Sequence, residues 1–485
     1  MRFYFILFTL FGYYGLCAQQ WQVPQIILDG LAQPSFIPSE QNKTSPVIKP
    51  IADQDGNLHL LWSDAYDGIT DIFYSYKPKG MSTFSDPINL SNSMEQHSLF
   101  PEAILDPQQR LYVSWTELSE DYLSSQINAR LLGINGNWSG LITISAPTDK
   151  LNLLSSSAYT DESGVFVIIS NEMELDDQGE VLTQELLTSK IDFNTGIVST
   201  IDGPVFSDAK YAFRPLLLNQ GTDTIHCIWY DEKEENGEYL QYVSYSQFDQ
   251  GQWSTPEPLS LETSNGLFDD GPLQLLLDID NNLYVIWTSF VPSPLNGQMA
   301  IKPAGGSFQS PMIISQDVLY ESVFYFDGEQ KLNGIISGGG LFYHKLTDDN
   351  NLTLKETLVP ESDVSFNPAV CVSNDTAHLF WTQNLKMMYS KSPINTSSST
   401  LESIQEHIDL LPNIASEMTY LRSSALTEKV EIYNIHGQMV QDKNDLSSAL
   451  NNLIPLDISR LPSGIYIVKA YLKSGFVASH QLVIN

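Results

Sequence analysis

Short apolar segments with a period of two recur along most of the chain, and five of them end on tryptophan: LHLLW (58–62), LYVSW (111–115), IHCIW (225–229), LYVIW (283–287) and AHLFW (377–381). Alternation of this kind, rich in β-branched and aromatic residues and bounded by turn formers, predicts half-buried β-strands. Each follows an apolar segment with a proline near its start (PVIKPIAD, PEAILD, RPLLLNQ, GPLQLLLD, NPAVCVS) across a turn of Asp, Asn, Gln or Gly (DQDGN, DPQQ, QGTDT, DIDNN, NDT). A tyrosine-bearing strand comes next (IFYSY, YVSYS, MMYSK). A phrase with an aromatic three residues before a proline forms the fourth: WQVPQIIL (21–28), FSDPINL (84–90), WSTPEPL (253–259), FQSPMII (308–314).

Two degenerate copies fill the gaps, SAYTDESGVFVIIS with Ile169 at the tryptophan position and VFYFDGEQKLNGIIS with Ile336 there. Positions 62, 115, 169, 229, 287, 336 and 381 are then separated by 53, 54, 60, 58, 49 and 45 residues. Seven units of about four strands at that period predict an all-β, seven-bladed β-propeller, six blades being the alternative count. The seventh unit (NPAVCVS, AHLFW, KMMYSKS) stops without its fourth strand. WQVPQIIL supplies it, so the first segment after the leader is expected to complete the last blade and pair its exposed edge.

Residues 1–18, MRFYFILFTLFGYYGLCA, place Arg2 before an apolar run that ends on Ala18, the pattern of a secretory signal peptide cut before Gln19. No later apolar run reaches the length of a membrane-spanning helix. The formal net charge of −34 makes nucleic acid an unfavourable partner, because phosphates would be repelled. Only Cys227 and Cys371 follow the leader, both inside apolar strands, where buried free thiols are expected rather than a disulfide framework.

The blade pattern over roughly 21–393 resembles the sialidase-like (BNR-type) propellers. That likeness is one of architecture and does not carry activity. Sialidases hold their substrate's carboxylate with three arginines. Here Arg110 ends a first turn and Arg130 lies in a third strand, so neither is expected to meet Arg214 at one mouth. The tail is similar to the type IX secretion C-terminal sorting domain: KVEIYNIHGQMV (429–440), LDISRLPSGIYIVKAY (456–471) and a terminal QLVIN, with Tyr433, Asn434, Gly437, Pro462, Gly464 and Tyr466 at the motif positions. Pro412-Asn413-Ile414 and His480-Gln481 depart from the usual opening and ending of that motif. The tail's alternating strands predict a small β-sandwich. The expected organisation is 1–18 leader, 19–393 propeller, 394–410 Ser/Thr-rich linker and 411–485 sorting domain. The resemblance implies handling by the type IX machinery and a location outside a Gram-negative cell, released or attached at the outer-membrane surface.

Loops joining second to third strands and one blade to the next open on one face of a propeller. Two residues past the tryptophan positions stand Asp64, Glu117 and Asp231, and the loops leading into blades add His97, Tyr211, Arg214, Asp269 and Asp270. These are the candidate ligand-binding residues, a polar mouth able to hydrogen-bond sugars, set against the plainer reading that polar residues end strands at solvent. No GxSxG, P-loop or His-x-x-x-His pair occurs, so no catalytic residue is assigned. No cofactor is expected. DQDGN and DIDNN offer calcium some oxygens but lack the later carboxylates of a full loop. Three readings follow: a surface or secreted propeller that binds glycan or protein, a divergent glycan-degrading enzyme using paired carboxylates at the mouth, and a scaffold of an envelope complex.

Overall fold

A computed structural model describes residues 21–31, 47–394 and 408–484, apart from short stretches within the last two ranges, the longest being 160–164, 205–210, 261–272, 290–294 and 444–452. Among the described residues every regular element is a β-strand, and the chain divides after Thr396 into two compact units. The leader and most of the linker lie outside the described residues.

The larger unit repeats one antiparallel meander. Its first sheet takes Ile48–Ala52, Leu58–Tyr66, Ile69–Lys77 and Ile88–Asn89; the second His97–Leu105, Leu111–Leu118, Ser125–Leu132 and Ile142–Ser145. The third has Leu151–Tyr159, Val165–Leu175, Val181–Asp192 and Ile197–Asp202, and the fourth Tyr211–Gln220, Thr224–Glu235 and Glu238–Asp249 with the short pieces Gln252–Trp253 and Glu257–Pro258. A single parallel bridge between Gln184 and Tyr211 joins these two meanders into one sheet. The fifth holds Gln274–Leu277, Leu283–Ser289, Asn296–Lys302 and Met312–Ser315; the sixth Val323–Phe326, Leu332–Ser337, Leu341–Leu346 and Leu352–Val359.

The seventh sheet contains Ser365–Ser373, Thr376–Gln383 and Lys386–Pro393, and its fourth strand is Gln25–Asp29. Gln25 pairs with Tyr389, Ile26 with Met388 and Asp29 with Lys386. Gln22 N–H reaches Lys391 O at 2.9 Å and Ser390 Oγ donates to Gln22 O at 2.6 Å. The N-terminal phrase therefore occupies the position that the repeat left open.

Packing between sheets follows from the alternation. The tryptophans stand on faces turned toward a neighbouring sheet, and all five are essentially excluded from solvent. Trp62 lies in a core shared by the first and seventh sheets, Trp115 by the first and second, Trp229 by the third and fourth, Trp287 by the fourth and fifth, and Trp381 by the sixth and seventh. First strands lie against each other in chain order through all seven sheets, and that of the seventh lies against that of the first.

The aromatic–proline phrase has a separate job. In three outer segments the serine just after the aromatic makes the same pair of ladder bonds, whether a proline follows (Pro87, Pro256) or a leucine stands there instead (Leu141, after Trp138). Ser85, Ser139 and Ser254 each accept at Oγ from the N–H of Tyr76, Leu131 and Gln247 (3.1, 3.0 and 3.0 Å) and return their own N–H to the same residue's carbonyl at 2.8 Å. The aromatic itself reaches back to the preceding sheet. Phe84 meets Tyr389 edge-on at 6.1 Å between centroids, Trp138 meets Tyr74 at 5.1 Å, and Phe308 meets Tyr245 at 5.0 Å.

The smaller unit is a β-sandwich. One sheet is Ile408–Leu411, Met418–Ser423 and Leu453–Asp457; the other is Ile414–Ala415, Val477–Ile484, Gly464–Leu472, Thr427–Asn434 and Met439–Lys443 in spatial order. Leu421, Val430, Ile432, Ile454, Leu456, Tyr466, Val468, Leu482 and Ile484 fill its core.

Candidate functional site

Each meander has two edges. One carries tight turns between first and second strands; the other gathers the start of the first strand, the end of the second and the loop after it. In the second sheet, His97 pairs with Leu118 and Ser98 with Glu117, which sets both candidate groups at this loop edge.

The carboxylates two residues past tryptophan do not form an open rim. Residues i and i+2 of a strand share a face, so each of these groups points into the same seam as its tryptophan. Glu117 is 6% exposed and Asp231 2%. Glu117 Oε1 accepts from Trp115 Nε1 (3.3 Å) and Ser93 Oγ (3.0 Å), and Oε2 accepts from Gln126 Nε2 (2.7 Å). Ser244 Oγ donates to Asp231 at 3.4 Å. Asp64 is half-buried and caps its own strand, accepting Ala65 N–H at 2.9 Å. The equivalent Asn171 ties the third sheet to the fourth through Ala212 O at 2.7 Å, and Gln383 takes the Trp381 indole N–H at 3.3 Å. The expected solvent-facing arc is thus corrected for Glu117 and Asp231, which brace the seams, while Asp64 stays partly open to solvent. Glu117→Ala should cost about 3 kcal/mol in urea denaturation, because it strands several buried donors.

Of the remaining candidates, His97 is half-buried and accepts Thr70 N–H at 3.3 Å, while Tyr211 Oη donates to Val181 O at 3.4 Å. Asp269 and Asp270 lie outside the described residues. Arg214 belongs to a pattern that the strand reading missed. Phe100, Arg214 and Asn367 each precede a proline, sit at an irregularity of a first strand, and have φ of 54°, 53° and 50°. Left-handed backbone is uncommon for such residues and concentrates at ligand sites. Three sheets hold it at one repeat position near the loop edge. Arg110 is instead at a turn edge, bonded through Nε to Asp106, so the arginines do not assemble.

Between the first two sheets the loop edge has a shallow pocket lined by Glu95, Gln96, Ser119 and Glu120. Glu95 and Glu120 are exposed, and exposed Leu123 follows in the same loop. The network below is fixed: Ser93 donates its N–H to Asp71 at 2.9 Å and its hydroxyl to Glu117, and Gln126 reaches toward Gln96.

The turn edge is built differently. In DQDGN, Asp53 accepts from the N–H and side-chain amide of Asn57, both at 2.7 Å; in DIDNN, Asp278 does the same with Asn282, both at 2.8 Å. Gly56, Gln109, Asn281 and Gln330 take the left-handed position of four such turns. The position three residues before tryptophan buttresses them, a regularity not noticed in the sequence. His59, His226 and His378 bond through Nδ1 to Tyr74, Tyr245 and Tyr389 at 2.9, 2.8 and 2.8 Å. Tyr112 and Tyr284 instead bond Asp106 and Asp278 (3.0 and 3.1 Å). His378 also meets Ser373 Oγ at 2.7 Å, which imitates a nucleophile–base pair. The repeat argues that it is a buttress, since Gln220 takes the same place beside His226. Cys227 and Cys371 are buried free thiols, and burial pushes Cys371 up to about 12.

In the sandwich, the motif residues build turns and staples. Asn434 accepts Gln438 N–H at 3.0 Å, Tyr466 Oη donates to Pro462 O at 2.7 Å, and Tyr433 and Tyr471 both donate to Glu431 (2.6 and 2.5 Å). Lys429 and these two hydroxyls hold the Glu431 carboxyl well below its usual range. Gly464 opens the strand Gly464–Leu472, and Gly437 lies outside the described residues.

Residues 409–485 match the family described as the secretion system C-terminal sorting domain. The chain ends in a sorting domain. That domain hands the protein to the type IX machinery and makes it a secreted or outer-membrane surface protein of a Gram-negative bacterium. No curated protein matches the chain. Among solved structures it is similar to a protein of unknown function from Dyadobacter fermentans (10% identity, 78% of this chain and 100% of that one, TM-score 0.44). It is also similar to the β-propeller domain of the Trilobed protease from Pyrococcus furiosus (9%, 74% and 98%, 0.44). A third is an α-L-arabinofuranosidase from Fusarium graminearum in complex with an iminosugar inhibitor (9%, 78% and 99%, 0.42). Likenesses this distant say nothing of activity here.

Proposed function

We propose that residues 21–394 form a seven-bladed propeller closed by its own N-terminal strand, exported by the sorting domain to bind a neutral glycan at the loop edge. Closure is supported by the ring of first-strand contacts that returns from the seventh sheet to the first. The observation that carries the binding edge is the repeated left-handed bulge at Phe100, Arg214 and Asn367. Strain of that kind is retained where surrounding structure holds backbone for a purpose. On the same edge the pocket of Glu95, Gln96, Ser119 and Glu120 offers carboxylate, amide and hydroxyl groups to sugar hydroxyls. Its two carboxylates would repel acidic sugars.

The same pair, Glu95 and Glu120 on one pocket, favours a second reading in which they act as acid and base in glycoside cleavage. Both readings meet one experiment: the mature chain is screened on a neutral glycan array and in parallel for reducing-sugar release. Glu95→Gln/Glu120→Gln should weaken binding at least ten-fold while shifting the melting temperature by about 1 °C or less, since exposed polar swaps cost little. Binding without release fits a lectin-like module, and release lost in the variant fits the enzyme. Absence of any glycan binding, or equal binding by the variant, would contradict the assignment of this edge.

A further inference from the structure

The segment that carries Glu95 and Gln96 into the second sheet is pinned from both sides by carboxylates that solvent hardly reaches. Its start follows a device shared with other sheets. In the first, second and fourth sheets a serine at or just past the fourth strand accepts at Oγ the N–H of a third-strand residue: Ser91 from Ile72 (2.9 Å), Ser145 from Ile127 (2.9 Å) and Ser260 from Val243 (3.0 Å). The residues just before those three donors are Asp71, Gln126 and Tyr242. Asp71 alone of them is a carboxylate.

Asp71 is 7% exposed and uses both oxygens. Oδ1 accepts from Ser91 Oγ at 2.6 Å and from the Ser93 N–H at 2.9 Å, and Oδ2 accepts from Asn89 Nδ2 at 2.7 Å. Asn89 Oδ1 in turn accepts the Asn92 N–H at 2.8 Å, and Asn92 has left-handed backbone with φ of 48°. From the second sheet, Glu117 accepts from Ser93 Oγ at 3.0 Å and from Gln126 Nε2 at 2.7 Å, and that nitrogen lies 3.5 Å from Gln96 Oε1. Ser93 is therefore tied by its backbone to the sheet that the chain leaves and by its hydroxyl to the sheet that the chain enters. A buried carboxylate is costly unless donors surround it. The repeat does not demand this one, since Gln126 and Tyr242 fill the same place elsewhere.

We propose that Asp71 is a positioning residue of the loop-edge glycan site: with Glu117 it holds the segment through Ser91 and Ser93 so that Glu95 and Gln96 stand ready before a sugar arrives. The inference rests on the reading of this edge as the glycan site. Groups fixed on folding lose little freedom on binding, and that difference appears as affinity.

The test uses the mature chain, Asp71→Asn, and Asp71→Asn/Asn89→Asp. The single change keeps an acceptor for Ser91 and Ser93 but sets an amide N–H pair against that of Asn89; the second change turns donor and acceptor round and restores the contact. Without glycan, backbone exchange at residues 91–93 should be about ten-fold faster in the single variant than in the mature chain, and the double variant should return to the mature rate. On the neutral glycan array the single variant should bind about ten-fold more weakly and the double variant should recover, while the melting temperature moves by about 3 °C or less. Should Asp71→Asn fail to fold, Ser93→Ala removes the Glu117 anchor alone and should give the same pair of losses. Unchanged exchange in the single variant, or faster exchange with unchanged binding, would overturn the positioning role and leave the glycan reading standing. A double variant no better than the single would overturn it as well. No binding by the mature chain would be the failure of the glycan reading itself, and the positioning role would fall with it.

Discussion

Removal of residues 409–485 should abolish appearance of the protein outside the cell while leaving the larger unit folded inside the outer membrane. The sorting domain has a core of its own, built from residues such as Val430, Ile432, Leu456, Val468 and Leu482, and the cores between the sheets of the larger unit are built from that unit's own residues. Separate cores predict separate stabilities. Fractionation and immunoblotting of the truncated protein should find it periplasmic, with the melting temperature of the larger unit within about 2 °C of its value in the mature chain. Surface delivery of the truncated chain would contradict the role of the tail. Single replacements of Tyr433 or Tyr466 should act through the fold of the tail, because each hydroxyl staples a strand or a turn.

Deletion of residues 19–29 is expected to cost the most stability of any short excision. It removes the outer strand of the seventh sheet and Trp21, which packs edge-on against Tyr343 at 6.4 Å, and it leaves the strand Lys386–Pro393 with unpaired backbone. Loss of a few kcal/mol in a unit of this size lowers the melting temperature by roughly 3–6 °C, and the exposed edge invites aggregation. An unchanged melt and an unchanged monomer would contradict closure by the N-terminal strand.

Much of this architecture was legible because it rests on period-two alternation repeated many times. The five tryptophans announced the seams, and WQVPQIIL announced the outer strand of the seventh sheet, since the same phrase ends other units. Glu117 and Asp231 were expected on an open arc because their regular offset was taken as a mouth. The same alternation places i+2 beside the tryptophan, and that rule, applied one step further, would have buried them. His59, His226 and His378 were visible at one offset, yet nothing in the sequence showed that a tyrosine from the third strand would meet each. The bulges at Phe100, Arg214 and Asn367 were hidden for another reason. A residue before proline usually adopts extended backbone, and only the neighbouring sheets impose the left-handed alternative. Cys227 and Cys371 were legible as buried thiols from their apolar flanks.

The central claim is that the exported propeller uses its loop edge to bind a neutral glycan. The most direct measurement is hydrogen exchange across the mature chain with and without a pool of neutral oligosaccharides. The account predicts slowed exchange at residues 95–97 and 119–124, extending to the bulges near Phe100 and Arg214, with the turns at 53–57, 106–110 and 278–282 unaffected. Slowed exchange confined to those turns, or none anywhere, would contradict it.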